Sequence, residues 1–64
     1  MKWISMDIKR PRMYDTVIYT DGNTTFVGWM ESGEPGEAIV FYNPIDKEWN
    51  ENVTWWAQLP NPPE

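Results

Sequence analysis

Asp21-Gly22 stands between Thr16-Val17-Ile18-Tyr19-Thr20 and Thr24-Thr25-Phe26-Val27-Gly28-Trp29-Met30, two runs made almost wholly of β-branched and aromatic residues. Such runs favour the extended chain, and an Asp-Gly dipeptide supplies the positive φ angles of a tight two-residue turn. The segment is therefore expected to fold as a β-hairpin. A two-residue loop pairs Tyr19 with Thr24 and Val17 with Phe26, which puts Val17, Tyr19 and Phe26 on one face and Ile18, Val27 and Trp29 on the other. Both faces are apolar. That predicts a central strand pair in a small sandwich or barrel, or a sheet with one face covered by the termini or a second subunit.

The rest of the chain punctuates itself. Ser32-Gly33-Glu34-Pro35-Gly36-Glu37 holds two Gly and one Pro in six residues and reads as a loop. Ala38-Ile39-Val40-Phe41-Tyr42 reads as a strand stopped by Asn43-Pro44. Residues 45–52 are polar and turn-like, anchored by Trp49. Val53-Thr54-Trp55-Trp56-Ala57 reads as a further strand, and Pro60, Pro62 and Pro63 then end ladder pairing and favour polyproline II. Lys2 to Ser5 adds a short edge strand. No stretch of eleven residues shows helical periodicity. The expected fold is all-β, a four- to five-stranded, mainly antiparallel sheet or barrel-like meander with a Pro-rich C-terminal tail, in one domain over residues 1–64.

A domain of 64 residues buries only about 60% of the surface of its unfolded chain, so its stability must come from a staple or from heavy side chains. The sequence contains neither Cys nor His, which removes disulfides and the commonest zinc ligands together. Ten aromatic rings, five of them Trp, supply the bulk instead. The same absences leave catalysis little to work with: Ser5 and Ser32 sit in no nucleophile context, no glycine-rich phosphate loop is present, and a paired-carboxylate hydrolase needs a cleft that so short a chain hardly provides. We expect no enzyme, no cofactor and no metal. Residues 1–7 lack the apolar run of a secretory leader, and no apolar stretch approaches the roughly 18 residues that cross a bilayer, so a cytoplasmic protein is expected.

Charge is unevenly spread. Residues 1–13 carry Lys2, Lys9, Arg10 and Arg12 against Asp7, a balance of +3, whereas residues 14–64 carry nine acids against Lys47, a balance of −8. The overall net of −5 should repel nucleic acid. Glu31, Glu34, Glu37, Asp46, Glu48 and Glu51 form an acidic middle that reads either as a solvated face or as a patch that docks on a basic protein. Lys9-Arg10-Pro11-Arg12 reads as a solubilising loop, with phosphate grip as the sharper alternative. Most of the Trp residues are expected in the core. Trp55 and Trp56 cannot both be, because strand neighbours point to opposite faces. Pro60-Asn61-Pro62-Pro63 satisfies PxxP, and folding back on the chain's own Trp surface is the more economical reading.

Trp3-Ile4-Ser5 followed by Pro11, the Val17-Ile18-Tyr19 run, and the ending Trp56-Ala57-Gln58-Leu59-Pro60-Asn61-Pro62-Pro63 resemble the family of small bacterial and phage proteins called DUF551, a domain of unknown function. The resemblance touches both ends and the first long strand. It implies a bacterial or phage setting and no particular reaction. It also implies that Trp56 is the shared, structural Trp, while Trp55 stands where relatives have His, so no role of that histidine carries over. From these readings we expect a non-enzymatic phage or prophage module that binds a host or phage protein, in one form an inhibitor of a host enzyme or defence system. Its binding residues are expected to be Trp55, Glu31, Glu34, Glu37, Glu48 and Glu51, and a homodimer is compatible with so small a core. Alternatives are a sugar- or nucleotide-binding module that uses Trp stacking, and a nucleic-acid accessory protein that uses the basic N-terminus.

Overall fold

The computed structural model describes residues 2–31 and 38–60. The regular elements in them are six strands: β1 (Ile4–Ser5), β2 (Val17–Thr20), β3 (Thr25–Met30), β4 (Phe41–Asn43), β5 (Glu48–Asn50) and β6 (Trp55–Gln58). Every pairing is antiparallel, and the strands lie in the order β1-β6-β2-β3-β4-β5. The all-β expectation holds, with six strands in place of four or five. The sheet is curled and not closed, β1 and β5 being its edges.

The central hairpin is β2–β3, but its loop has four residues instead of two. Tyr19 pairs with Phe26 and Val17 with Gly28, two residues away from the register that a two-residue loop imposes. The cause is local hydrogen bonding. The Asp21 carboxylate accepts the amides of Asn23 and Thr24, each at 2.8 Å. Thr20 Oγ1 accepts the Gly22 amide at 3.0 Å and donates to the Thr24 carbonyl at 2.8 Å. Side-chain oxygens thus take the amides that a tighter turn would have paired across the strands. Gly22 has φ +95° and Asp21 does not join it above zero, whereas the two-residue turn requires both. A slip of two preserves the faces, so Val17, Tyr19 and Phe26 still share one and Ile18, Val27 and Trp29 the other.

The core lies on the first of these faces. Val17, Tyr19, Met30, Phe41 and Trp56 form its buried cluster, with Ile4, Met6, Phe26, Ile39 and Val53 packed around it. The Tyr19 ring centroid lies 4.6 Å from that of Phe41 and 5.4 Å from that of Phe26. Each large buried ring removes about 150 to 250 Å² from water, roughly 4 to 6 kcal/mol before chain entropy is set against it. The opposite face is less covered: Ile18, Val27 and Trp29 are half-buried. Trp29, Tyr42 and Trp49 run across it as an aromatic row with centroids 5.6 and 4.7 Å apart.

Curling follows from connectivity. Four residues, 51–54, link β5 to β6, which in a flat sheet of this order would lie four strand spacings apart, about 19 Å. The linking chain spans at most about 17 Å, so the sheet must roll up. Tyr19 OH donates to Asn50 Oδ1 at 3.0 Å, tying β2 to β5 across the inside of the roll. β3 pairs with β2 up to Gly28 and with β4 from Trp29 onward, and a Cβ at Gly28 would overlap the Tyr42 carbonyl oxygen. Only glycine lets the β4 backbone come this close.

Residues 45–52, expected to be turn-like, contain β5. Asn43 pairs with Glu48 around a four-residue loop. The buried Asn43 side chain organises that loop, its Oδ1 accepting the Ile45 amide at 3.0 Å and the Asp46 amide at 3.4 Å while Nδ2 donates to Asp46 Oδ2 at 3.1 Å. Lys47 closes it with φ +55°. Trp49, expected as an anchor, is 57% exposed, because its position in β5 faces outward beside Tyr42. The loop at 32–37 and the tail beyond Pro60 lie outside the described residues.

Candidate functional site

Strand alternation in β6 sends its two Trp residues to opposite sides. Trp56 pairs with Tyr19 and Ile4, points into the core and is 5% exposed. Its indole Nε1 donates to the Lys9 carbonyl at 2.8 Å, which satisfies the one polar atom that burial would otherwise strand. Trp55 pairs with Thr20 and Ser5 on the outer side and is 44% exposed. Trp3, two residues before Ser5 and 39% exposed, flanks Trp55. The two indoles and Thr20 line a shallow hollow of about 280 Å³. A second hollow of about 390 Å³ wraps round the β1 edge and adds Ile8, Lys2 and Lys9 to the same two Trp residues. Ile8 is 83% exposed.

The acids are placed elsewhere. Glu31 follows β3, where its Oε1 accepts the Trp29 indole N–H at 3.0 Å and its amide donates to the Val40 carbonyl at 2.9 Å. Glu48 and Glu51 are exposed in and just after β5, at the opposite end of the strand order from β1 and β6. Glu34 and Glu37 lie outside the described residues. The structure thus brings Trp55 together with Trp3, Thr20, Ile8 and two lysines, and it does not bring Glu31 or Glu48 into that group. The exposed ring in the same strand as Glu48 is Trp49.

Sequence reasoning missed Trp3 and Ile8 as members of the exposed cluster. The signal was present in part: once a short N-terminal edge strand is expected, pairing it with the last strand would set Trp3 on the same face as Trp55. Among the described residues no group of three or more His, Cys, Asp or Glu could hold a metal ion. Among them, too, no helix is long and apolar enough to cross a membrane. Compared with protein-family models, with curated proteins and with solved structures, the chain matches none. The resemblance of its ends to DUF551 therefore rests on the motif residues alone.

Proposed function

We propose that the chain is a non-enzymatic interaction module of phage or prophage origin that binds a host or phage protein, with Trp55 at the centre of the contact. The observation that carries this reading is the cluster of Trp3, Trp55 and Ile8, three large apolar side chains exposed side by side. Exposed Trp surrounded by weaker contacts is the usual anatomy of an interface hot spot. The acidic residues act at longer range. Glu48 and Glu51, with Glu31, Glu34 and Glu37, would speed encounter with a basic partner, while the aromatic contact sets how long it stays. In a phage setting the specific form is inhibition of a host enzyme or defence system.

The test is capture from a bacterial lysate by the parent chain and by Trp55→Ala. A protein retained by the parent and lost by the folded variant supports the reading, and equal retention by both removes Trp55 from the contact. Against the captured partner, the Gln variants of Glu31, Glu34 and Glu37 should leave folding intact and slow association at low salt. An unchanged association rate would take these acids out of the interface.

One observation favours a second reading. The hollow between Trp3 and Trp55, floored by Thr20, suits a flat apolar ring or sugar face stacked on an indole, which would make the chain a small-ligand module. Titration with mononucleotides and short saccharides, followed by the Trp3 and Trp55 indole N–H resonances, separates the two readings.

A further inference from the structure

The loop before β2 gathers Lys9, Arg10 and Arg12 into one cleft of about 280 Å³. Gln58, at the end of β6, and Trp56 and Val17 form the far wall. Asp15 is the carboxylate that lines it. The loop that carries the cations is pinned at several points. The Ser5 carbonyl accepts the amides of Ile8 at 3.0 Å and Lys9 at 3.1 Å, and the Lys9 carbonyl accepts the Trp56 indole N–H at 2.8 Å. Pro11 is buried. The Arg12 carbonyl accepts the Asp15 amide at 3.2 Å, and Tyr14, held at φ +68°, donates its amide to the Met30 carbonyl at 3.0 Å. The backbone beneath the three cations is therefore fixed before any ligand arrives.

Their charges, by contrast, are left unneutralised. Among the described residues none of Lys9, Arg10 and Arg12 forms an ion pair within 4.0 Å, although the chain has ten acids for its five cations. Three like charges on one short loop repel one another, and an adjacent acid would relieve this. Asp15 shares the cleft and makes no such pair.

We infer that this cleft binds the phosphate group of a small phosphorylated ligand. Arg10 and Arg12 present planar N–H forks suited to phosphate oxygens, Lys9 adds a third positive charge, and the Gln58 amide offers a neutral donor. The volume lies at the lower end of small-molecule sites, about 300 Å³, which selects a ligand of the size of a sugar phosphate or mononucleotide. A long nucleic acid fits less well. Beyond the cleft its further phosphates would meet residues 14–64, whose balance is −8, while screening over about 8 Å confines the local attraction to the cleft itself. The inference does not depend on any contact at Trp55.

The experiment is an NMR titration of the full ¹⁵N-labelled chain with inorganic phosphate, with adenosine monophosphate and with adenosine. Saturable shifts at the backbone amides of Lys9, Arg10 and Arg12, the Gln58 side chain and the Trp56 indole are expected with both phosphate-bearing probes, and none with adenosine. The Arg10→Gln/Arg12→Gln double variant should keep the thermal midpoint and weaken binding at least about tenfold. Asp15→Asn should tighten it, because the carboxylate opposes the anion. The proposal is overturned if phosphate gives no saturable shift at millimolar concentration, or if the double variant binds as the parent does. It is overturned equally if adenosine shifts the same amides, or if duplex DNA moves them at far lower concentration with a steep salt dependence, which would make the loop a polyanion surface.

Discussion

Trp56 and Tyr19 sit opposite each other in paired strands, and each brings one polar atom into the core that needs a partner there. Trp56→Ala removes the indole from beneath the Lys9 carbonyl and empties a large core volume, so it should cost about 3 to 5 kcal/mol and unfold a domain of this size. Trp55→Ala should leave far-ultraviolet circular dichroism unchanged. A folded Trp56→Ala beside an unfolded Trp55→Ala would reverse the faces described here. Burial pushes the Tyr19 phenol up to about 12, so the folded state holds its proton more tightly than the unfolded chain. Below the ordinary value of 10.0 both states are protonated and the shift has no effect on stability. As pH rises from there towards 12 the unfolded chain ionises first, and stability falls, by on the order of 2 kcal/mol. Urea unfolding across this alkaline range should show that loss in the parent and a flatter profile in Tyr19→Phe. The same variant should be weaker by about 1 kcal/mol at neutral pH, because Asn50 Oδ1 loses its donor. The faces of Trp55 and Trp56 were legible from strand alternation. The Tyr19–Asn50 bond was not, since it joins residues 31 apart in sequence, and no local pattern specifies such a contact.

The β2–β3 and β4–β5 loops are each organised by a short polar side chain, Asp21 in the first and Asn43 in the second. Amide donation from Thr24, and then from Asn23, holds the Asp21 carboxyl below the usual carboxylate range; that contribution is present above the ordinary carboxylate pKa and is lost as pH falls through the lowered one. In the first loop Gly22→Val places a β-branched residue at φ +95° and should lower stability by more than about 1 kcal/mol. A thermal midpoint equal to the parent's would contradict the loop geometry. Gly28→Ala drives a methyl group into the Tyr42 carbonyl and should reach the upper part of the roughly 1 to 3 kcal/mol typical of overpacking. Chemical denaturation measures it, and a cost below about 0.5 kcal/mol would show that β3 and β4 can move apart. The hairpin and its two faces could be read from residue types, whereas its register could not, because the Asp21 carboxylate competes with the backbone for the loop amides. β5 escaped for another reason. Glu48-Trp49-Asn50 has no apolar residue on the inner side, and its inward Asn50 is made acceptable by a hydroxyl from a distant strand.

At the scale of the molecule one core joins four strands, since Tyr19 of β2, Met30 of β3, Phe41 of β4 and Trp56 of β6 belong to a single cluster; Ile4 of β1 packs against it, and the Tyr19–Asn50 hydrogen bond ties β5 to it. Unfolding should therefore be all-or-none, with Trp fluorescence and far-ultraviolet circular dichroism giving coincident urea transitions. A fluorescence change that precedes the loss of strand signal would mean that the β4–β5 arm detaches by itself. The edges of the sheet carry a separate consequence. β1 offers two residues and β5 three, and the exposed strand borders of larger sheets are where foreign chains add themselves and aggregates begin. Here an incoming strand would find room for a rung or two of the ladder before the chain turns away. Among the described residues, recruitment by backbone templating is limited to that rung or two at either border, and recognition there falls to the shape and charge of side chains.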